Sequence, residues 1–159
     1  MPLPSEQEKI ALHAVYVTLH NTIRNNPDVF SAGQYTSAIT HLMGGRGWSW
    51  RVVGITPRAQ EQFQAQGFQK TARDGITRAH IIGRQDTCIQ LFQADNILTV
   101  DEFFRTYLEN DKTILCARGE NRRNIPNVIH IENPNADLFP SARIGWRHGE
   151  AEINFLAGL

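Results

Sequence analysis

Three polar residues in the centre of the chain, His80, Asn110 and Asn121, have types and an order that suit phosphate-ester hydrolysis. Histidine removes a proton from water at neutral pH because its ordinary pKa is about 6.5. An asparagine side-chain oxygen is a ligand for a hard divalent cation, which neutralises charge developing on a phosphate. These residues therefore predict a hydrolytic site that uses a general base and a metal ion.

The neighbouring segments are expected to bring His80 and Asn121 together. The apolar run over residues 76–82 predicts a strand that carries His80, and residues 112–117 predict another strand. Residues 119–123 predict the start of a helix that carries Asn121. If the strands pair antiparallel with the helix across them, both side chains face one cleft. A base and a metal ligand that act on one phosphate should then lie within roughly 5–8 Å.

The order His80, Asn110, Asn121 resembles the ββα-metal (HNH, or His-Me finger) nuclease superfamily, in its variant with asparagine as the last member. The tripeptide Arg78-Ala79-His80 is similar to part of the Asp-Arg-Gly-His signature of non-specific nucleases in the same superfamily. The resemblance implies a DNA endonuclease with Mg²⁺ or Mn²⁺. His80 would be the general base and Asn121 the metal ligand. Asn110 would hold the loop that carries the histidine, and Arg78 would contact phosphate or have a structural role.

The match covers residues 77–123 and departs from the family pattern at three points. Ala79 stands where many HNH proteins have a further metal ligand, and Thr77 replaces the aspartate of the second signature. The interval between His80 and Asn110 is long and is predicted to contain a helix over residues 100–108. With Ala79 in place, the metal would rest on fewer protein atoms.

Charge is uneven along a chain whose formal net charge is zero. Residues 46–84 hold seven basic and two acidic residues, a net +5, and residues 85–111 hold six acidic and one basic, a net −5. Residues 112–123 return to +3, from four basic residues and one acidic. If the basic segments form one face, they would attract phosphates; otherwise they are ordinary solvated charges. The candidate substrate-binding residues are Arg46, Arg84, Arg118, Arg122 and Arg123.

Length and patterning predict a single α+β domain of 159 residues. A helical part over about 5–43 should precede an α/β part over about 48–159, with a ββα-metal-like hairpin and helix at its centre. Further helices are predicted over residues 5–25, 32–43, 56–67 and 147–156, and further strands over 48–55 and 128–132.

Two cysteines without CxxC spacing, no apolar run near ~20 residues and no signal-peptide pattern predict a cytoplasmic protein without a membrane span. The small size favours a homodimer on DNA, since one such domain offers little contact surface.

Three alternatives remain open at this stage. The neutral net charge also suits a non-enzymatic binding or regulatory module of the same fold class. The segment Glu109-Asn110-Asp111-Lys112 is similar to the carboxylate–lysine core of another nuclease class, with one more residue between acid and lysine. Trp48, Trp50 and Trp146 could stack on bases, although Trp50 alternates with Val52, which favours packing in the core.

Overall fold

The chain is an α+β protein in a computed structural model that describes residues 3–71, 75–121, 125, 127–131, 138–142 and 145–159. The described residues form six helices and six strands. In chain order these are α1 Glu6–Asn25, α2 Ala32–Met43, β1 Arg51–Ile55, α3 Pro57–Ala65, β2 Ile76–His80, α4 Arg84–Phe92, α5 Val100–Asn110, β3 Lys112–Ala117, β4 Ile129–His130, β5 Ser141–Ala142, β6 Gly145–Trp146 and α6 Glu150–Ala157. Among them no helix is long and apolar enough to cross a bilayer.

Local capping signals account for most helix starts. Ser5 and Glu8 exchange hydrogen bonds with each other's backbone N–H groups, and Thr99 and Glu102 do the same at the start of α5. Thr56 caps α3 by accepting from the Ala59 N–H, and a proline follows at the first helical position. These starts are as the sequence predicts, because the donors and acceptors lie within three residues of each other.

Strand β2 ends at His80 instead of residue 82 and α6 begins at Glu150 instead of residue 147, and three further differences from the predicted elements bear on the site. Helix α4 was not predicted, since its N-cap is Gly83, which has no side chain to signal a helix start. Strand β1 begins at Arg51 instead of residue 48, because Trp50 has a left-handed backbone with φ of 60°. After β3 the chain turns at Gly119, which has φ of 92°, and Asn121 is not helical.

The main sheet has the strand order β2-β3-β1-β4. Strands β2 and β3 pair antiparallel, as predicted, with His80 opposite Thr113. Strands β1 and β3 pair in parallel, with Arg51 opposite Lys112. Consequently β1 and β3 both begin at the edge of the sheet where β2 ends. We call this the His80 edge, and it brings together Trp50, His80 and Asp111. The end where β1 and β3 finish is called the far edge.

The described residues pack into two apolar clusters. One joins α1, α2, α4 and α5 around Tyr16, Leu91 and Phe103, so helices from both halves of the chain form one layer. The other packs α3 and α6 with β1 and β3 through residues such as Phe63 and Leu115. The predicted division into an N-terminal helical part and an α/β part therefore does not describe the packing. Helices α4 and α5, inserted between β2 and β3, belong to the helical layer.

Candidate active site

His80 and Asp111 form a buried pair at the His80 edge. The imidazole Nε2 lies 3.1 Å from Asp111 Oδ1, and the two side chains are 9% and 4% exposed. A carboxylate only accepts hydrogen bonds, so Nε2 carries the proton and Nδ1 is left as the acceptor. Within the described part of the chain, Nδ1 has no hydrogen-bond partner. The pair thus has the arrangement of a general base held in one tautomer by an acid.

The Asp111 carboxylate is itself fixed by groups from two other segments. Its Oδ2 accepts the backbone N–H of Trp50 at 2.5 Å. The hydroxyl of Tyr107, one turn earlier on α5, interacts electrostatically with the Asp111 carboxylate. Burial raises the pKa of Tyr107 well above its ordinary value, and the adjacent carboxylate adds to that shift. Tyr107 therefore stays protonated at neutral pH.

Trp50 contacts several ionisable side chains at this edge. Its indole ring meets the His80 ring edge-on, with centroids 4.9 Å apart. The guanidinium carbons of Arg78 and Arg84 lie 4.9 Å and 4.8 Å from the indole centroid. Its left-handed backbone is uncommon for a bulky residue and is a form of local strain that clusters at functional sites.

Arg78, two residues before His80 on β2, is a buried cation with a structural set of contacts. Its guanidinium donates to the backbone carbonyls of Trp50, Phe139 and Gly145 at 3.1, 3.2 and 2.7 Å. Burial lowers the pKa of Arg78 to about 10, and the negative charge of Asp111 opposes that shift. The side chain is therefore still charged at neutral pH. Of its two predicted roles, these contacts fit the structural one.

A narrow cleft lies between the helical layer and the His80 edge, with an empty volume of about 270 Å³. Its walls include the side chains of Thr40, His80, Arg84, Tyr107, Asn110 and Asp111. The space beside His80 has room for about one water molecule. Arg84 is exposed, and its one side-chain hydrogen bond to a described residue goes to Thr40 Oγ1 at a long 3.4 Å. Most of its N–H groups are therefore available to an anion.

His80 also borders a second, larger cavity with an empty volume of about 600 Å³. This groove is largely aliphatic, with Val53, Ile114 and Val128 among its walls. His80 therefore borders two cavities, the cleft that Arg84 and Asp111 also line and the groove that Val53 and Ile114 line.

Asn110 lines the narrow cleft beside Arg84, but its side chain makes a different contact from the predicted one. Its side-chain amide donates to Gln90 Oε1 on α4 at 2.8 Å, and the residue is 8% exposed. The predicted partner was the backbone of the loop that carries His80. In the structure the next residue, Asp111, holds the histidine, while Asn110 ties the end of α5 to α4.

Asn121 and Arg118 do not join the His80 edge. His80 pairs with Thr113, and the far end of β3 is Ala117, which pairs with Ile76. Thr113 and Ala117 are four residues apart on β3, which at ~3.3 Å per residue is about 13 Å. Both residues follow β3 at the far edge and are exposed. Asn121 and His80 therefore do not make the single site, within roughly 5–8 Å, that the metal hypothesis requires.

No cluster of three or more histidine, cysteine or acidic residues suited to a metal ion occurs in the described segments. The residues around His80 thus do not fit the Mg²⁺ site that the resemblance implies.

The other candidate substrate-binding residues are dispersed. Arg46 lies in the loop after α2 and forms an ion pair with Glu8 at 2.5 Å, so its charge is already neutralised. Arg122 and Arg123 lie outside the described residues. Of the predicted cations that the structure describes, Arg84 is the one that borders the cleft.

Asp111 and Trp50 are the site residues that sequence reasoning missed. Asp111 lies beside Asn110 in the predicted motif. It directly precedes β3, which pairs with the strand that carries His80, and an acid in that place is the signal that could have identified it. Trp50 was expected to alternate with Val52 in a strand and pack in the core. Trp48 and Trp146 are buried, at 3% and 8% exposure, whereas Trp50 is partly exposed at the site.

No protein-family model, no curated protein and no solved structure matches this chain.

Proposed function

We propose that this protein hydrolyses phosphodiester bonds of DNA, with His80 as the general base. The observation that supports this most is the buried His80–Asp111 pair beside a cleft that Arg84 borders. The pair leaves Nδ1 as a proton acceptor, and the cation offers a place for the substrate phosphate. The basic segments of the sequence, residues 46–84 and 112–123, are consistent with a nucleic-acid substrate. The position of His80 as the first residue of the predicted motif is consistent with it as well.

In the proposed reaction, a water molecule beside His80 attacks phosphorus while its proton moves to Nδ1. Asp111 accepts the hydrogen bond from Nε2 and stabilises the imidazolium that forms. Arg84 binds a non-bridging oxygen of the phosphate and neutralises the charge that develops there. The imidazolium then returns its proton to the leaving oxygen. A positioned general base contributes about 10²–10⁴-fold to the rate.

A requirement for Mg²⁺ or Mn²⁺ is a separate part of the proposal, carried over from the resemblance. Such an ion would supply Lewis-acid stabilisation of the phosphate and the leaving oxygen. The described residues near His80 do not form a ligand set for it. We therefore assign no step to the ion, and chelation tests the requirement.

The test is cleavage of supercoiled plasmid by the purified protein with Mg²⁺, with Mn²⁺ and with EDTA. Wild type should nick the plasmid, and His80→Ala should be at least about 100-fold slower. His20→Ala is the matched control, because His20 is also a buried histidine, bonded to the Ala94 carbonyl at 3.1 Å and distant in sequence from the cleft. Intact plasmid under all conditions would reject hydrolysis, and equal rates for wild type and His80→Ala would reject the role of His80.

The competing function is a non-enzymatic binding module, which the zero net charge and the neutralised Arg46 favour. It predicts binding to a partner without cleavage and no effect of His80→Ala on that binding. A cytoplasmic homodimer that cuts both strands is also part of our proposal, because a domain of this size contacts little DNA alone. Light scattering with and without a DNA duplex measures the mass.

A further inference from the structure

Trp50 connects the base of the proposed reaction to its phosphate-binding cation. Through the backbone, its N–H donates to Asp111 Oδ2, and its carbonyl accepts from Thr113 Oγ1 at 3.1 Å and from Arg78. Through the ring, it contacts His80 and Arg84. One residue thus touches the acid, the base and the exposed cation.

The backbone contact depends on the left-handed conformation of Trp50. With φ of 60°, the chain turns so that the residue before β1 directs its N–H at the residue before β3. These two residues are neighbours because β1 and β3 are parallel and begin in register. Any residue except proline supplies the N–H, but only glycine adopts this conformation without strain.

The ring contact holds two cations close together. Arg78 and Arg84 both lie within 5 Å of the indole centroid, so their guanidinium carbons are less than 10 Å apart. Arg78 donates to three carbonyls, whereas Arg84 has one long hydrogen bond to Thr40 among the described residues. Stacking on an aromatic face restricts a guanidinium to one plane, which prepares its N–H groups for a phosphate.

We propose that Trp50 is a positioning residue that places the general base and an anion-binding cation as one unit. Its backbone fixes Asp111 and thereby His80, and its ring orients Arg84 to take the phosphate group of the substrate. The catalytic meaning rests on the proposed function. Binding of inorganic phosphate and the tautomer of His80 do not depend on cleavage, so these two measurements test Trp50 separately.

Three substitutions at position 50 separate the two roles. Trp50→Phe keeps an aromatic face, Trp50→Gly removes the ring but accepts the left-handed backbone, and Trp50→Ala removes the ring and keeps the strain. Arg84→Gln gives the effect of losing the cation itself. Phosphate affinity is measured by ³¹P NMR titration with inorganic phosphate. The tautomer of His80 is measured from its imidazole ¹⁵N shifts, and thermal unfolding checks that each variant is folded.

We expect Trp50→Phe to bind phosphate within about twofold of wild type. Trp50→Gly should bind about 2–5-fold more weakly, which corresponds to a cation–π contribution of about 0.5–1 kcal/mol, and should keep the His80 tautomer. Trp50→Ala should lose the same affinity and also show a mixture of His80 tautomers. In cleavage assays, Trp50→Gly should raise KM with little change in kcat, whereas Trp50→Ala should change both.

Each half of the proposal has its own contrary result. Wild-type phosphate affinity in Trp50→Gly, with a clear loss in Arg84→Gln, would overturn the role of the ring. The same His80 tautomer in Trp50→Ala as in wild type would overturn the role of the backbone. No phosphate binding by folded wild-type protein would overturn the anion site altogether. Absence of plasmid cleavage with phosphate binding intact would reject the proposed function and leave the assignment of Trp50 standing.

Discussion

The two edges of the sheet each hold a carboxylate that accepts a backbone N–H, but among the described residues only Asp111 is hydrogen-bonded to an ionisable side chain, His80. At the far edge, Glu120 Oε2 accepts the Ala117 N–H at 2.8 Å and the Thr56 hydroxyl at 2.7 Å. At the His80 edge, Asp111 accepts the Trp50 N–H and the His80 imidazole. The first arrangement closes a turn and a helix cap, while the second leaves a base beside a cleft.

The difference shows what makes a buried carboxylate a candidate for chemistry. Satisfying backbone donors is a structural task that both residues perform. Asp111 in addition fixes the imidazole of His80, next to open space and an exposed cation. Among the described residues, Glu120 has the Thr56 hydroxyl and the Ala117 N–H as its partners. Neither of these groups takes up a proton from a substrate at neutral pH.

Removing the two carboxylates should give the largest contrast. Asp111→Ala leaves the Trp50 N–H and the His80 imidazole without their buried acceptor, so we expect a loss of about 2–4 kcal/mol in unfolding free energy. Cleavage should fall by at least about 100-fold, because His80 loses its tautomer. Glu120→Ala should cost about 1–2 kcal/mol and leave cleavage within about twofold. Urea unfolding and plasmid nicking measure both. Equal effects of the two variants on cleavage would remove the distinction between the edges.

The histidines provide the second contrast. His80→Ala should abolish most of the activity while lowering stability by about 1–2 kcal/mol, since Asp111 keeps its Trp50 and Tyr107 partners. His20, only 1% exposed in the helical layer, should show the reverse pattern, with a larger stability loss and unchanged kcat. Parallel measurements of kcat and of the urea midpoint decide this. A loss of kcat in folded His20→Ala would contradict it.

Two fully buried threonines, one at each edge, allow a smaller comparison. Thr56 caps α3 and donates to Glu120, and Thr113 donates to the carbonyls of Trp50 and Arg51 at 3.1 and 3.0 Å. Changing either to valine should cost about 1–2 kcal/mol. Only Thr113→Val should also slow cleavage, by several-fold, because it frees the backbone of Trp50. If Thr56→Val slows cleavage equally, the effect is a general loss of stability.

The smallest effect concerns Tyr107 and alkaline pH. Because the folded-state pKa of Tyr107 is raised above its unfolded value near 10, its contribution to stability is present below pH 10 and is lost as pH rises above it. At pH 7, Tyr107→Phe should be about 1 kcal/mol less stable, because the interaction of the hydroxyl with the Asp111 carboxylate is lost. Above pH 10, this advantage of wild type should shrink by about 1.4 kcal/mol per pH unit.

Urea unfolding of both proteins between pH 7 and pH 11 measures the difference. Tyr16→Phe, at a second tyrosine whose pKa burial raises, is the control in the helical layer. A difference between wild type and Tyr107→Phe that stays constant through pH 11 would contradict a raised pKa.

Local sequence rules predicted the parts of the fold that depend on short-range contacts. The capping boxes at Ser5 and Thr99 and the Thr56 cap all join groups within three residues, so their donors and acceptors are visible in the sequence. Strand β3 was predicted with its observed bounds. Helix α4 was missed because Gly83 provides no cap signal. The strand predicted from residue 48 was too long because the left-handed turn at Trp50 has no local signature for a bulky residue.

The sequence by itself determined the α+β class and most of the helix starts, and it is the source of our proposal that His80 transfers the proton. Only the tertiary structure decided its partner. Because β1 and β3 run parallel and β2 antiparallel, residues 50, 80 and 111 meet at one edge, while Asn121 lies beyond the far end of β3. Strand direction is set by packing between segments distant in sequence, and no spacing along the chain encodes it. The antiparallel register of β2 and β3 places Asp111 next to His80 and places Asn121 at the opposite end of β3.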